Sequence, residues 1–106
     1  MTAKTFIEEH FGEDIKLSDI AKEVSLSPNY FHTLFSEVCG FTPREYLTEH
    51  RVNMAKKYLL TTQMSVCEVA ERCGFKTQQY MTSVFKSNVG MTPVSFRQQH
   101  QNEYFR

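Results

Sequence analysis

The segment Ile20-Ala-Lys-Glu-Val-Ser-Leu26 is the clearest indication of the fold, because the chain repeats its pattern in Val69-Ala-Glu-Arg-Cys-Gly-Phe75, 49 residues later. The match continues at an offset of 50 residues, where six residues of the first copy match six of the second: Tyr30, Phe35, Gly40, Thr42, Pro43 and Tyr46 with Tyr80, Phe85, Gly90, Thr92, Pro93 and Phe96. One residue is therefore inserted in the turn of the later copy. A short helix with alanine at the close-packing position, a tight turn and a second helix are typical of a helix-turn-helix. The sequence predicts this unit twice.

Helix starts are marked by hydroxyl residues that precede proline. Ser27, Thr42 and Thr92 each stand directly before a proline, which is typical of an N-cap followed by the first helical residue. Thr42 and Ser65 also have glutamate three residues later, the spacing of a capping box. Further helix starts are predicted at Ser18, Ser65 and Thr77. Helix ends with a left-handed glycine are predicted at Gly40 and Gly90.

These marks predict an all-α fold of about seven helices, and no alternating strand pattern competes with it. The predicted helices cover residues 2–12, 18–25, 28–39, 43–60, 66–73, 78–89 and 93–101. They form two helix-turn-helix subdomains, or homeodomain-like lobes, joined by a long linker helix. The linker would span about 27 Å and can act as a rod.

The length of 106 residues with 41% hydrophobic residues suits one compact domain over 1–106. We predict a first lobe over about 4–42, the linker helix over about 43–60 and a second lobe over about 65–101. The sequence has neither a long apolar run nor a basic-then-apolar leader at Met1, so we expect a soluble, cytoplasmic protein.

Several classes of chemistry lack their motifs. The three cysteines, Cys39, Cys67 and Cys73, contain no C-x-x-C pair, and the four histidines are scattered, so we expect buried thiols and neither a metal nor another cofactor. A glycine-rich phosphate loop, a G-x-S-x-G turn and a clustered carboxylate pair are all missing. We therefore predict that the chain is not an enzyme.

Charge is balanced overall but uneven along the chain. Residues 1–49 hold nine acids and four bases, a net charge of −5, whereas residues 50–106 hold three acids and eight bases, a net charge of +5. A polyanion would be drawn to the second half, although the neutral total weakens a purely electrostatic case for nucleic acid.

The second helix of each repeat has an apolar side and a polar side. The stripes predicted to face the core are Phe31, Leu34, Phe35 and Val38 in the first copy, and Met81, Val84 and Phe85 in the second. The outward sides carry short neutral side chains, which can read base edges in the major groove. A solvated helix face is also polar, so this interpretation has a plain alternative. The same holds for seven cations that could contact phosphate: Arg51, Lys56, Lys57, Arg72, Lys76, Lys86 and Arg97. Arg51 could instead pair with a nearby acid.

In combination, the motifs of the chain resemble a known family over about residues 4–101. These motifs are Leu17-Ser-Asp-Ile-Ala-Lys-Glu-Val, Ser27-Pro-Asn-Tyr-Phe-His-Thr-Leu-Phe, Gly40-Phe-Thr-Pro-Arg-Glu-Tyr-Leu, Arg51-Val-Asn-Met-Ala-Lys-Lys-Tyr-Leu-Leu, Val69-Ala-Glu-Arg-Cys-Gly-Phe, Tyr80-Met-Thr-Ser-Val-Phe-Lys and Gly90-Met-Thr-Pro-Val-Ser-Phe-Arg. This combination is similar to the C-terminal DNA-binding domain of AraC/XylS-type bacterial transcription regulators.

The resemblance implies that the third and sixth helices enter successive major grooves of double-stranded DNA, which recur about every 34–36 Å. It assigns base contacts to Asn29, His32, Thr33, Gln78, Gln79, Thr82 and Ser83. Phosphate contacts are assigned to Ser27, Ser36, Arg51, Lys76, Thr77, Lys86 and Arg97. The resemblance also implies that the chain is a fragment of a longer regulator, monomeric by itself and dimeric through a further domain, with RNA polymerase as another partner.

The chain departs from the family where it has Thr33 and Ser83, since many members have arginine at these positions. The departure removes two bidentate guanine contacts, so we predict weaker binding by the isolated domain and a preference for A·T-rich half-sites. The missing arginines and the neutral charge also leave an alternative function open: a protein-interaction module that keeps the fold without specific DNA binding.

Overall fold

The computed structural model describes residues 2–104, and over this range the chain is all helical, which confirms the predicted fold class. The seven helices are α1 (Ala3–His10), α2 (Leu17–Glu23), α3 (Pro28–Cys39), α4 (Pro43–Thr61), α5 (Val66–Arg72), α6 (Gln78–Val89) and α7 (Pro93–Tyr104). None of the described helices has the length and apolar character needed to cross a membrane.

The helix caps follow the sequence closely. Thr42 forms a complete capping box, in which its N–H donates to Glu45 Oε1 (2.8 Å) and its Oγ1 accepts from the Glu45 N–H (3.1 Å). Hydrogen bonding of the carboxylate to Thr42, first to its backbone N–H and then to its side chain, lowers the pKa of the Glu45 carboxyl below its ordinary value. α3 and α6 both end at a left-handed glycine, Gly40 with φ 81° and Gly90 with φ 90°.

The helix start predicted at Ser18 is wrong by one residue. α2 begins at Leu17 with Lys16 as its N-cap. The reason is that the Asp19 carboxylate, rather than a hydroxyl group, closes this end, because its Oδ2 accepts from the Lys16 N–H (2.8 Å).

The chain divides into two compact units, with the boundary between His50 and Arg51 inside α4. In the first unit, α1, α2, α3 and the start of α4 enclose a core of Phe6, Ile7, Ile20, Ala21, Phe31, Phe35 and Leu47. The Phe35 ring packs against three aromatic neighbours, with ring-centre distances of 5.6 Å to Phe31, 6.3 Å to Phe41 and 6.0 Å to Tyr46.

The second unit is built in the same way from its own copy of the repeat. Its buried hydrophobic residues are Val52, Ala55, Leu59, Val69, Ala70, Cys73, Phe75, Met81, Phe85 and Phe96. Ala21 and Ala70, which are equivalent in the repeat, are both buried. A small side chain at this position lets the short helix approach its neighbours closely, as the sequence predicts.

Each helix-turn-helix turn is a Schellman motif. In the first turn Leu26 N–H donates to the Ala21 carbonyl (3.0 Å), and in the second Phe75 N–H donates to the Ala70 carbonyl (3.0 Å). The left-handed residue of the motif is Ser25 in the first turn, with φ 58°, and Gly74 in the second, with φ 84°. The two turns therefore share one geometry but only the second has the residue that adopts it without strain.

The apolar stripe predicted for α3 is too wide. Phe31 and Phe35 are buried, but Leu34 is 38% exposed and Val38 is 76% exposed. The prediction of Leu34 and Val38 as core residues is therefore wrong. Phe31 and Phe35, four residues apart, form the side of α3 that packs into the core. Leu34 and Val38 lie at the margin of this side and are left exposed. Val84 in α6 is half-buried.

The expectation of three buried thiols holds only for Cys73. Cys39 is half-buried at the end of α3, and Cys67 is exposed. Cys67 is the second residue of α5, two positions before the buried Val69. Residues two positions apart lie on different sides of a helix, which accounts for the exposure of this thiol.

Candidate nucleic-acid interface

The first set of predicted base-reading residues lies on the exposed side of α3. Ser27 caps this helix by accepting from the Tyr30 N–H (3.3 Å), and Pro28 occupies its first position. Asn29, His32 and Thr33 are all exposed. Since Phe31 and Phe35 fix the opposite side in the core, the three polar side chains project together from the first unit.

The second set lies on α6 and repeats this arrangement. Thr77 caps the helix by accepting from the Tyr80 N–H (2.9 Å). Gln78, Gln79 and Ser83 are exposed, and Thr82 is half-buried. The opposite side is anchored by Met81 and Phe85, which are completely buried.

The repeat makes three positions of the two faces equivalent, and Gln78 stands where the first copy has Pro28. Asn29 corresponds to Gln79, His32 to Thr82 and Thr33 to Ser83. Every one of these side chains is a hydrogen-bonding group of the kind that reads base edges, and none is large and apolar. We call the residues Asn29, His32 and Thr33 the α3 face, and Gln78, Gln79, Thr82 and Ser83 the α6 face.

The hydroxyl residues predicted to touch phosphate have structural partners as well. Ser27 and Thr77 use their oxygens as hydrogen-bond acceptors in the caps, which leaves the hydroxyl hydrogen to donate to a phosphate. Ser36 is half-buried, and its Oγ donates to the His32 carbonyl (2.7 Å) within α3.

The predicted phosphate-binding cations differ in their surroundings. Lys76 is exposed just before α6, and Lys86 is exposed in the last turn of α6. Arg97 is half-buried, and its guanidinium donates to the carbonyls of Leu59 (3.0 Å) and Thr62 (3.3 Å). Arg97 therefore closes the C-terminal end of α4, a structural role that its sequence pattern does not indicate.

Arg51 is half-buried and is the first residue of the second unit. Its charge and that of Arg72 act on the Cys73 thiol, but burial dominates and raises the pKa of Cys73 to about 12. Cys73 is therefore an inert thiol of the core.

Two tyrosines belong beside these candidates, although no sequence motif assigns them a contact with DNA. Tyr30 is 57% exposed in the first turn of α3, and Tyr80 is 45% exposed at the equivalent position of α6. A tyrosine hydroxyl can donate a hydrogen bond to a DNA phosphate. The signal that could have found this pair is their match in the repeat.

Among residues 2–104 no three histidine, cysteine or acidic side chains come together as a metal site would require. His10 pairs with Glu13 (2.7 Å) and His100 pairs with Glu103 (3.3 Å). Each pair lies within about one helical turn and includes no residue of the two faces.

Two capped helices, each behind a Schellman turn and each with a neutral polar face, define a helix-turn-helix protein. A family model described as a helix-turn-helix domain matches residues 20–99. The chain belongs to the AraC-type helix-turn-helix family, as the resemblance predicted, and this family regulates transcription through DNA.

Curated relatives agree with this assignment. The chain is 36% identical over 93 residues to the HTH-type transcriptional regulator ExsA of Pseudomonas aeruginosa, and the matched region covers 88% of this chain and 34% of ExsA. It is 34% identical over 98 residues to AdaA of Bacillus subtilis, a bifunctional transcriptional activator and DNA repair enzyme, covering 92% of this chain and 46% of AdaA. The chain thus spans less than half the length of either relative.

Solved structures share the fold throughout. The C-terminal domain of AraT, a response regulator from Geobacillus stearothermophilus, superposes with a TM-score of 0.88 at 32% identity, covering 92% of this chain and 81% of that domain. The DNA-binding domain of AdpA, a global transcriptional factor solved in complex with a target DNA, gives a TM-score of 0.88 at 26% identity, covering 97% and 96%.

Proposed function

We propose that this chain binds double-stranded DNA with sequence specificity as a module of a bacterial transcription regulator. The observation that carries the proposal is the pair of equivalent polar faces on α3 and α6, held in orientation by buried aromatic and methionine side chains on the opposite sides of the helices. The family and the DNA complex of the AdpA domain support it.

In this proposal each face enters a major groove. Gln79 and Asn29 carry amide groups that can pair with adenine through two hydrogen bonds, while the methyl groups of Thr33 and Thr82 can contact thymine. Because neither face contains arginine, the strongest guanine contact is not offered. A·T-rich half-sites are the expected targets.

The proposal is tested by selecting binding sites from a random duplex pool with the purified chain at low and at moderate salt. We expect enrichment of a motif with two short A·T-rich blocks centred about one helical turn, roughly 10–10.5 base pairs, apart. Absence of any enriched sequence at low salt would contradict the proposal.

A protein-interaction module is the second candidate function, and one observation favours it. Leu34 and Val38 leave an apolar strip exposed on α3 beside the α3 face. The two functions differ in their dependence on salt, since phosphate contacts release counterions when they form. Absence of salt-dependent binding to duplex DNA would favour the second candidate.

Three further proposals follow from the family and the length of its members. We propose that the chain is part of a longer cytoplasmic regulator, that it is monomeric by itself and dimerises through another domain, and that RNA polymerase is a further partner. The chain spans 34% of ExsA and 46% of AdaA, which supports the first of these. Sedimentation of the isolated chain tests the monomer directly.

A further inference from the structure

The α3 face and the α6 face differ in the charge around them, although the repeat makes them equivalent. α3 contains no lysine or arginine, and it carries Glu37 exposed. α6 has Lys76 exposed directly before its N-cap and Lys86 exposed in its last turn. A cation therefore stands near each end of α6 and none stands on α3.

The repeat shows that both lysines are particular to the second copy. Leu26 and Phe75 occupy the same place in the two Schellman turns, and Ser27 and Thr77 are the equivalent N-caps. Lys76 lies between Phe75 and Thr77 and is thus the extra residue of the second turn.

Lys86 is the second difference, and it corresponds to Ser36 in the first copy. The Ser36 hydroxyl turns back to donate to the His32 carbonyl (2.7 Å). A lysine at the equivalent position extends from the helix instead, and it is exposed. Its ammonium group can reach a phosphate farther from the helix than the Ser36 hydroxyl can, and it adds a positive charge.

The cations of the first unit lie elsewhere. Lys4 packs over the Tyr46 ring, 5.5 Å from its centre. Lys16 is the N-cap of α2, Lys22 lies in the last turn of α2, and Arg44 lies in the first turn of α4.

The whole units repeat the contrast between the helices. The unit ending at His50 contains nine acids and four bases, a net charge of −5, and the unit beginning at Arg51 contains three acids and eight bases, a net charge of +5. DNA is attracted to the second unit and repelled by the first at long range.

We propose that the two units divide the work of DNA binding, an inference that rests on the proposed function. The second unit binds phosphates through Lys76 and Lys86 and supplies the salt-dependent part of the affinity. The first unit reads bases with the uncharged α3 face and adds sequence discrimination with almost no ionic contribution. Encounter with DNA starts at the second unit, because its net charge of +5 attracts the polyanion whereas the first unit has a net charge of −5.

The test measures the affinity of the whole chain for its selected site and for a scrambled duplex between 50 and 200 mM salt. Each phosphate contact contributes about 0.9 to the slope of log affinity against log salt. We expect Lys76→Ala and Lys86→Ser each to reduce the slope by about 0.9 on both duplexes and to weaken binding about fivefold at 0.15 M salt. Lys86→Ser is the sharper variant, since it installs the residue of the first copy.

Lys22→Ala and Arg44→Ala are the matched controls, because both remove an exposed cation from the first unit. Their slopes should equal that of the unaltered chain. Slopes that fall as much in these controls as in Lys76→Ala and Lys86→Ser would overturn the division between the units. All four positions are exposed, and the helical circular dichroism spectrum of each variant checks its folding.

The scrambled duplex separates this inference from the proposed function. Equal affinity for the selected and the scrambled duplex would contradict sequence-specific binding. The slopes on the scrambled duplex would still decide whether the ionic contacts belong to the second unit alone.

Discussion

Ser25 adopts a left-handed backbone conformation, with φ 58°, at the place where the second turn has Gly74. This conformation costs about 1–2 kcal/mol for a residue with a Cβ atom, whereas glycine loses about 0.5–1 kcal/mol through its greater freedom in the unfolded chain. We therefore expect Ser25→Gly to raise the free energy of unfolding by about 0.5–1 kcal/mol in urea denaturation. Gly74→Ser is the reverse control and should lower it. A destabilised Ser25→Gly variant would contradict the strained turn.

The cysteines provide a second test at the scale of single residues. Cys67 is exposed, Cys39 is half-buried and Cys73 is buried. We expect a thiol reagent at neutral pH to label Cys67 first, because this thiol is exposed to the reagent. Cys73 should be labelled only after unfolding, because burial hides it and keeps it in the neutral form, whereas the thiolate is the reactive form. Cys67→Ala should abolish the fast phase. Fast labelling that persists in this variant would contradict the assigned exposures.

The raised pKa of Cys73 also makes stability depend on pH. Since folding favours the neutral thiol, its contribution to stability is complete below the ordinary value of 9.0 and is lost as pH rises toward about 12.

At the scale of the helices, α3 tests which side chains form the core. Phe35 is buried among aromatic rings and Val38 is 76% exposed. Phe35→Ala should therefore lower the free energy of unfolding by about 3–5 kcal/mol, while Val38→Ala should change it by less than about 0.5 kcal/mol. A loss of unfolding free energy above about 1 kcal/mol for Val38→Ala would contradict its exposure and would favour the core position that the periodicity predicts.

The end of α4 depends on side chains from α7. Gln101 Nε2 donates to the carbonyls of Leu59 and Thr62, both at 3.1 Å. The same two carbonyls accept hydrogen bonds from Arg97. Gln101→Ala should lower the free energy of unfolding by about 1–2 kcal/mol, because it removes hydrogen bonds from half-buried carbonyls. Gln98→Ala, at an exposed position of the same helix, should have almost no effect. Equal effects in thermal unfolding would contradict the capping role.

For the whole molecule, the sequence predicts more about the order of the helices than about the surroundings of single side chains. The repeat and the Thr-Pro and Ser-Pro pairs predict the helices from α2 to α7, because capping is a local interaction between residues close in the chain. The exposure of Leu34 and Val38 depends on what packs beside α3, and spacing along one helix does not contain that information. The bonds of Arg97 to α4 join residues 35 and 38 positions apart, so local patterns do not reveal them either.

The candidate faces can be predicted for the same reason as the caps. Phe31 with Phe35 and Met81 with Phe85 fix one side of each helix, and the exposed polar residues then follow from helical geometry. The roles of these residues toward DNA stay predictions, because they depend on contacts with DNA and not on contacts within the chain.

In the proposed function, α3 and α6 each read their own part of the DNA site. The most direct measurement repeats the binding-site selection with His32→Ala and with Gln79→Ala. We predict that each variant loses base preference in one block only, that the two blocks differ, and that each lost base contact costs about 1–3 kcal/mol. Loss of the same block in both variants, or a uniform weakening that leaves both blocks unchanged, would contradict the account.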